Sequence, residues 1–216
     1  MNQDFIDLYC ERIGPGLWAE PWNAATNFAF IAAGVLLVVA LRRAEPAERR
    51  DPAILCLVAL VFIIGVGSGL FHTFAQVWAV LTDVVPIVLF ILLYMYLALR
   101  RLLALPLSSC LLGVAVVLVL TVAMPVGFGF SVSTYGVALA AMLGVGGVLH
   151  FGRRHAAGPR ILVTAGVFAV SLALRTADLP LCAALPLGTH FLWHLLNAVV
   201  LYSLTRTMMR HGRRVA

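Results

Sequence analysis

Hydrophobic residues run along this chain in long blocks separated by short polar connections. Seven blocks approach the about 20 residues that an α-helix needs to cross a ~30 Å hydrocarbon core: 24–41, 53–74, 78–99, 104–123, 131–151, 159–177 and 186–205. Strand-like alternation is absent, and lipid leaves only helices or closed barrels as spanning structures. The pattern predicts an all-α, polytopic membrane protein, a bundle of seven transmembrane helices in a single domain over residues 1–216. Small residues recur at four-residue spacing, Gly65 with Gly69 and Gly136 with Ala140 and Gly144. That spacing predicts close helix contacts in lipid.

Composition agrees, with 62% of the 216 residues hydrophobic and only 11% charged, against about a quarter charged in soluble domains. Charge adds a direction. All 15 basic residues are arginine, and apart from Arg12 and Arg175 they fall in four places. These are Arg42, Arg43, Arg49 and Arg50; Arg100 and Arg101; Arg153, Arg154 and Arg160; and Arg206, Arg210, Arg213 and Arg214. They follow the first, third, fifth and seventh spans. Connections rich in arginine face the cytoplasm, so the N-terminus is expected outside and the C-terminus inside, with 206–216 a basic cytoplasmic tail.

The net charge of +6 is explained by this pattern and by anionic lipid at the inner leaflet. Nucleic acid need not be invoked. Residues 1–23 hold Asp4, Asp7, Glu11 and Glu20 without a basic start, so they read as an exported segment and not a cleavable signal peptide. The arginine-only composition suggests a GC-rich genome and a bacterial inner membrane.

Orientation gives each intramembrane polar residue a depth. Ser68 and His72, four apart in "GVGSGLFHTF", share a face at the outer end of the second span. Asp83 follows in the first turns of the third span. His190 and His194, four apart in "THFLWHLL", stack on one face in the outer half of the seventh. His150, His155 and His211 lie at the inner edge among arginines, where surface roles suffice.

Packing and hydrogen bonding between helices could account for each of these residues singly. Together they suit another chemistry. A carboxylate in a spanning segment is costly and marks function by default. Three neutral imidazoles suit Zn²⁺, with the fourth position left to water, whose pKa the metal lowers to about 7. A nearby carboxylate can serve as general base and then acid, and a serine can hydrogen-bond a developing oxyanion. These are the parts of a metal-assisted hydrolase.

The set resembles the alkaline ceramidase family, within the superfamily of seven-helix membrane hydrolases and receptors that includes the progestin and adiponectin receptors. The resemblance lies in Ser68, the "FH" at Phe71 and His72, Asp83 with Pro86, and the "HxxxH" of His190 and His194. The N-terminal "YCE" and "AEPWNAATN" are similar to the family's "WCE" and "AExxNxxSN". It implies zinc held by His72, His190 and His194, with Asp83 handling the proton and Ser68 stabilising the oxyanion or orienting the water. The implied reaction is hydrolysis of an N-acyl sphingoid base to a fatty acid and a free base. The alternatives are a hydrolase of another acyl lipid amide or ester, and a receptor or sensor with structural zinc.

The resemblance also implies calcium in the N-terminal segment. Asp7, Glu11 and Glu20 are the candidate ligands, against the alternative of a solvated acidic loop. Two of the family's positions are altered, Ile13 standing for an asparagine and Leu8 for an aspartate, whereas calcium takes six to eight oxygens. Of the four cysteines, Cys10 and Cys182 fall outside, where oxidation is expected, and Cys56 and Cys110 near the inner ends of spans. A Cys10–Cys182 bond is expected, which the resemblance also favours; two free thiols are the alternative. Arg175 and Asp178, three apart, read as a local salt bridge, with Asp178 also a candidate to orient a zinc ligand. Trp78 and Trp193 read as interfacial belt residues. The partner is a membrane lipid; the sequence leaves the oligomeric state open.

Overall fold

A computed structural model describes residues 5–123 and 130–212; Asp4, Arg213 and Arg214 lie outside the described residues. The described chain is helical and holds no strand. The helices are α1 (Pro21–Thr26), α2 (Phe28–Arg42), α3 (Pro46–Arg49), α4 (Pro52–Phe74), α5 (Val77–Leu97), α6 (Leu107–Ala123), α7 (Phe130–Gly147), α8 (Ala157–Leu181) and α9 (His190–His211). Prolines open α1, α3 and α4, where the missing N–H costs nothing. Asp51 caps α4 by accepting from the Ala53 N–H at 3.0 Å. The last turns of α5 and α7 widen into π-helical turns, Ala98–Leu102 and Val148–Gly152.

Among the described residues, five helical stretches are long and apolar enough to cross a membrane: Pro21–Arg42, Pro52–Phe74, Val77–Leu102, Thr134–Gly152 and Ala157–Leu181. Helix α6 is equally apolar but shorter, at 17 residues. Helix α9 has the length, at 22 residues, yet buries His190, His194, Asn197, Thr205 and Thr207. It starts at His190, not at 186, because Gly188 takes a left-handed conformation (φ 67°) that breaks any helix running through "PLGT". Helix α8 continues past 177 to Leu181, which places Arg175 and Asp178 on helical turns.

The helices close on themselves in chain order. α2 packs on α4, α4 on α5, α5 on α6, α6 on α7, α7 on α8, α8 on α9, and α9 back on α2. Leu37, Leu57, Ile64, Phe90, Ile161 and Met208 fill the interior, while Leu36, Val119 and Val163 lie exposed on the outer face. At one end the arginine-bearing connections meet. Arg101 pairs with Asp51 at 2.6 Å and donates to the Gly212 carbonyl, and the His155 and His211 rings approach to 5.9 Å. The N-terminal segment and the α8–α9 turn gather at the opposite end, joined by the Cys10–Cys182 disulfide. Cys56 and Cys110 are free.

The small-residue expectation is corrected in part. A Cβ on Gly136 or Gly144 would meet nothing among the described residues, and one on Gly69 only an ordinary contact. Gly65 does press on Phe30 of α2, and the tightest helix crossing falls on Gly67, which four-residue spacing passes over. A Cβ there would sit 1.9 Å from the Thr82 carbonyl oxygen of α5. The rigid helical backbone cannot yield locally, so Gly67→Ala must push α5, and Asp83 with it, off α4. A misplacement of about 1 Å costs about 10²-fold in rate. On the hydrolase reading of the sequence, Gly67→Ala is expected to lose activity by about that factor; unchanged kcat/KM would contradict the contact.

Candidate metal centre

His72 lies near the C-terminal end of α4; His190 and His194 occupy the first turns of α9. The i, i+4 spacing on α9 puts both imidazoles on one face, toward α4. All three rings are buried, with centroids 5.2, 4.7 and 4.6 Å apart. One ligating atom from each lies within 4.8 Å of the others. This is the only such cluster of histidine, cysteine or acidic groups among the described residues.

Hydrogen bonding sets how each ring could ligate. His72 Nδ1 donates to Glu20 Oε2 at 2.5 Å, and its Nε2 is buried with no partner. Thr26 spends its hydroxyl hydrogen on the Trp22 and Asn23 carbonyls, so at 2.9 Å it accepts from His194 Nδ1–H. Both rings therefore hold the tautomer with a free Nε2 lone pair, as metal ligation requires. His190 differs: Arg175 Nη1 reaches its Nδ1 at 3.4 Å, a long contact from a group that only donates. Ligation through His190 Nε2 requires the other tautomer, with the guanidinium kept by its remaining partners. The orphaned Nε2 of His72 and the all-imidazole donor set fit a zinc ion.

Asp83 and Ser68 face the same cavity as His190 and His194. Ser68 reaches this cavity from α4 and Asp83 from α5. Beyond them the cavity runs along Ile87, Phe90, Met142 and Leu204, an almost wholly apolar lining.

Three residues the sequence reading placed elsewhere belong to this site. Arg175 does not serve a local pair with Asp178. Its Nη1 donates to the Tyr9 hydroxyl at 2.7 Å, and its guanidinium lies over the rings of Tyr9, Tyr135 and Trp193 at 5.3, 5.1 and 5.2 Å. Trp193 is 3% exposed and packs on Tyr135 and Phe168, so it is a core residue, not a belt residue. Tyr9 stacks on His190 at 3.6 Å, which the sequence reading missed. Trp78 is exposed at the start of α5.

Asp178 does act on a histidine, through backbone and not through the ring. Its Oδ1 accepts from the N–H groups of Thr189 (2.6 Å) and His190 (2.8 Å), and its Oδ2 from Cys10 N–H at 2.9 Å. One buried carboxylate thus fixes the start of α9 and ties it to the N-terminal segment beside the disulfide. Gly188 permits this closeness, since a Cβ there would fall 2.2 Å from Asp178 Oδ1.

Of the candidate calcium ligands, Glu11 and Glu20 are both buried and both accept a hydrogen bond from Asn23. Asp7 is exposed, and Asp7, Glu11 and Glu20 form no common cluster among the described residues. Glu11 caps α1, its two oxygens accepting from Trp22 and Asn23 N–H at 2.7 and 2.8 Å. Burial raises the Glu11 pKa, against those two hydrogen bonds, which lower it. Glu20 is held by Arg12, His72 and Asn23. Burial opposes its ionisation too, but the hydrogen bonds it accepts from His72, Asn23 and Arg12 outweigh this and lower its pKa.

Fold and site together define a multi-pass helical membrane protein with a buried three-histidine cluster able to hold a metal ion. The model of the ceramidase family matches residues 9–213, and the chain belongs to that family. The curated proteins include no significant match.

Proposed function

We propose that this protein is a zinc-dependent amide hydrolase that cleaves N-acyl sphingoid bases, embedded in the membrane by seven helices with its N-terminus outside and 206–216 in the cytoplasm. The observation that carries the reading is the three-histidine cluster opening onto a cavity shared with Asp83 and Ser68. Membership of the ceramidase family supports the substrate class. The orientation rests on the arginine-bearing connections meeting at the end opposite the histidines, which puts the site toward the outer face.

His72, His190 and His194 would hold the zinc, which when bound acidifies a water and polarises the amide carbonyl. Asp83 takes the proton released as water attacks and returns it to the leaving nitrogen. Ser68, which lines the same cavity, hydrogen-bonds the oxygen on which negative charge develops. Arg175 lies close enough for its charge to act on Asp83. The apolar lining beyond takes an acyl chain, whose burial contributes about 0.8 kcal/mol per methylene.

A panel of long-chain lipid amides and esters, assayed with protein purified in detergent, tests this. Release of fatty acid from N-acyl sphingoid bases with kcat/KM above every other class is the expected result. Preference for another amide or ester would keep the hydrolase and overturn the substrate. No turnover on any member, with metal bound, would favour a structural metal in a receptor.

A further inference from the structure

The family resemblance implies a calcium ion held by Asp7, Glu11 and Glu20, and in the structure Glu20 is bound by an arginine. Arg12 is 4% exposed, and each of its three nitrogens donates to an oxygen. Nε bonds Glu20 Oε1, Nη1 the Gly14 carbonyl at 3.1 Å, and Nη2 the His72 carbonyl at 2.8 Å. A carboxylate and two backbone carbonyls are the donors a hard cation recruits; here they surround a guanidinium. The other Glu20 oxygen serves His72 and Asn23, and both Glu11 oxygens cap α1. Asn23 Oδ1 and Asn27 Oδ1 are buried and open, but the carboxylate and carbonyl oxygens beside them already serve N–H donors, and calcium takes six to eight oxygens. A divalent ion would also sit beside a buried positive charge that cannot deprotonate.

We propose that Arg12 is a built-in cation that takes the place of calcium, so that the chain folds and acts without that ion. The fixed fork of the guanidinium does the work of a coordination shell. It holds Glu20 against His72 Nδ1 and fastens the N-terminal segment to the end of α4 through the His72 carbonyl. The contacts run in series from Gly14 through Arg12 and Glu20 to His72. The positive charge comes with the chain and does not vary with the medium.

The test is calcium binding and thermal unfolding of the detergent-purified, zinc-loaded protein in buffer stripped of calcium by resin. Calcium is then added to about 1 mM, the level at which extracellular calcium modules load. No saturable binding and the same Tm with and without calcium are expected. Stoichiometric binding with a rise in Tm would overturn the proposal, whether or not the protein is active on lipids. In calcium-free buffer, Arg12→Gln should lower Tm, and an unchanged Tm would equally overturn it. The parent measurement decides the matter even where the variant does not fold.

Discussion

Asp83→Asn is expected to lower kcat by about 10²–10⁴-fold, the usual contribution of a positioned general acid–base group, while metal content stays at the parent level. Asparagine keeps the size of the side chain, so the cavity should not change shape. It cannot take up a proton. The metal should remain because the three imidazoles belong to α4 and α9, whereas Asp83 sits on α5. Paired measurement of kcat and metal per chain checks this. Loss of metal along with activity would make Asp83 a ligand or a structural group, and retained activity would give the proton to another residue.

The second large effect falls on stability. Asp178→Ala removes the acceptor from three N–H groups, those of Cys10, Thr189 and His190, of which the latter two bonds are buried. A buried donor left unpaired costs about 1–3 kcal/mol, so the two buried bonds set an expected loss of about 2–6 kcal/mol. At about 2–4 °C per kcal/mol for a chain of this size, Tm should fall by at least about 4 °C. Metal affinity should fall too, since the start of α9 carries two of the three histidines. Thermal unfolding in detergent, followed by tryptophan fluorescence, gives the shift. A Tm within a degree of the parent would show that water replaces the carboxylate.

Much of this was legible because lipid is a strict solvent. Long apolar blocks predict helices, and an ionisable residue inside one demands a reason. His72, Asp83, His190 and His194 stood out on that ground, and three of the four form the cluster. Arg175 met the same criterion, as the one charge within 159–177 besides Arg160 at its start, but a nearby acid offered a simpler partner. Its actual partners, Tyr9 and the rings of Tyr135 and Trp193, come from distant parts of the chain. Helical spacing carries no information about such contacts. The N-terminal segment was the hardest to read, because short polar stretches have no periodicity. Glu20 was legible as a candidate calcium ligand or part of a solvated acidic loop, and Arg12 carried no signal, yet they are 1% and 4% exposed behind His72. Gly67 was missed for a related reason: four-residue spacing marks a helix face but not which of its positions a neighbour touches.

Zinc per chain in detergent-purified protein, parent beside His194→Ala, tests the central claim most directly. About one zinc per chain in the parent, lost from the variant with the fold intact, is the expected result. Parent protein that holds no zinc after zinc loading, or a His194→Ala variant that holds as much as the parent, would contradict the metal centre.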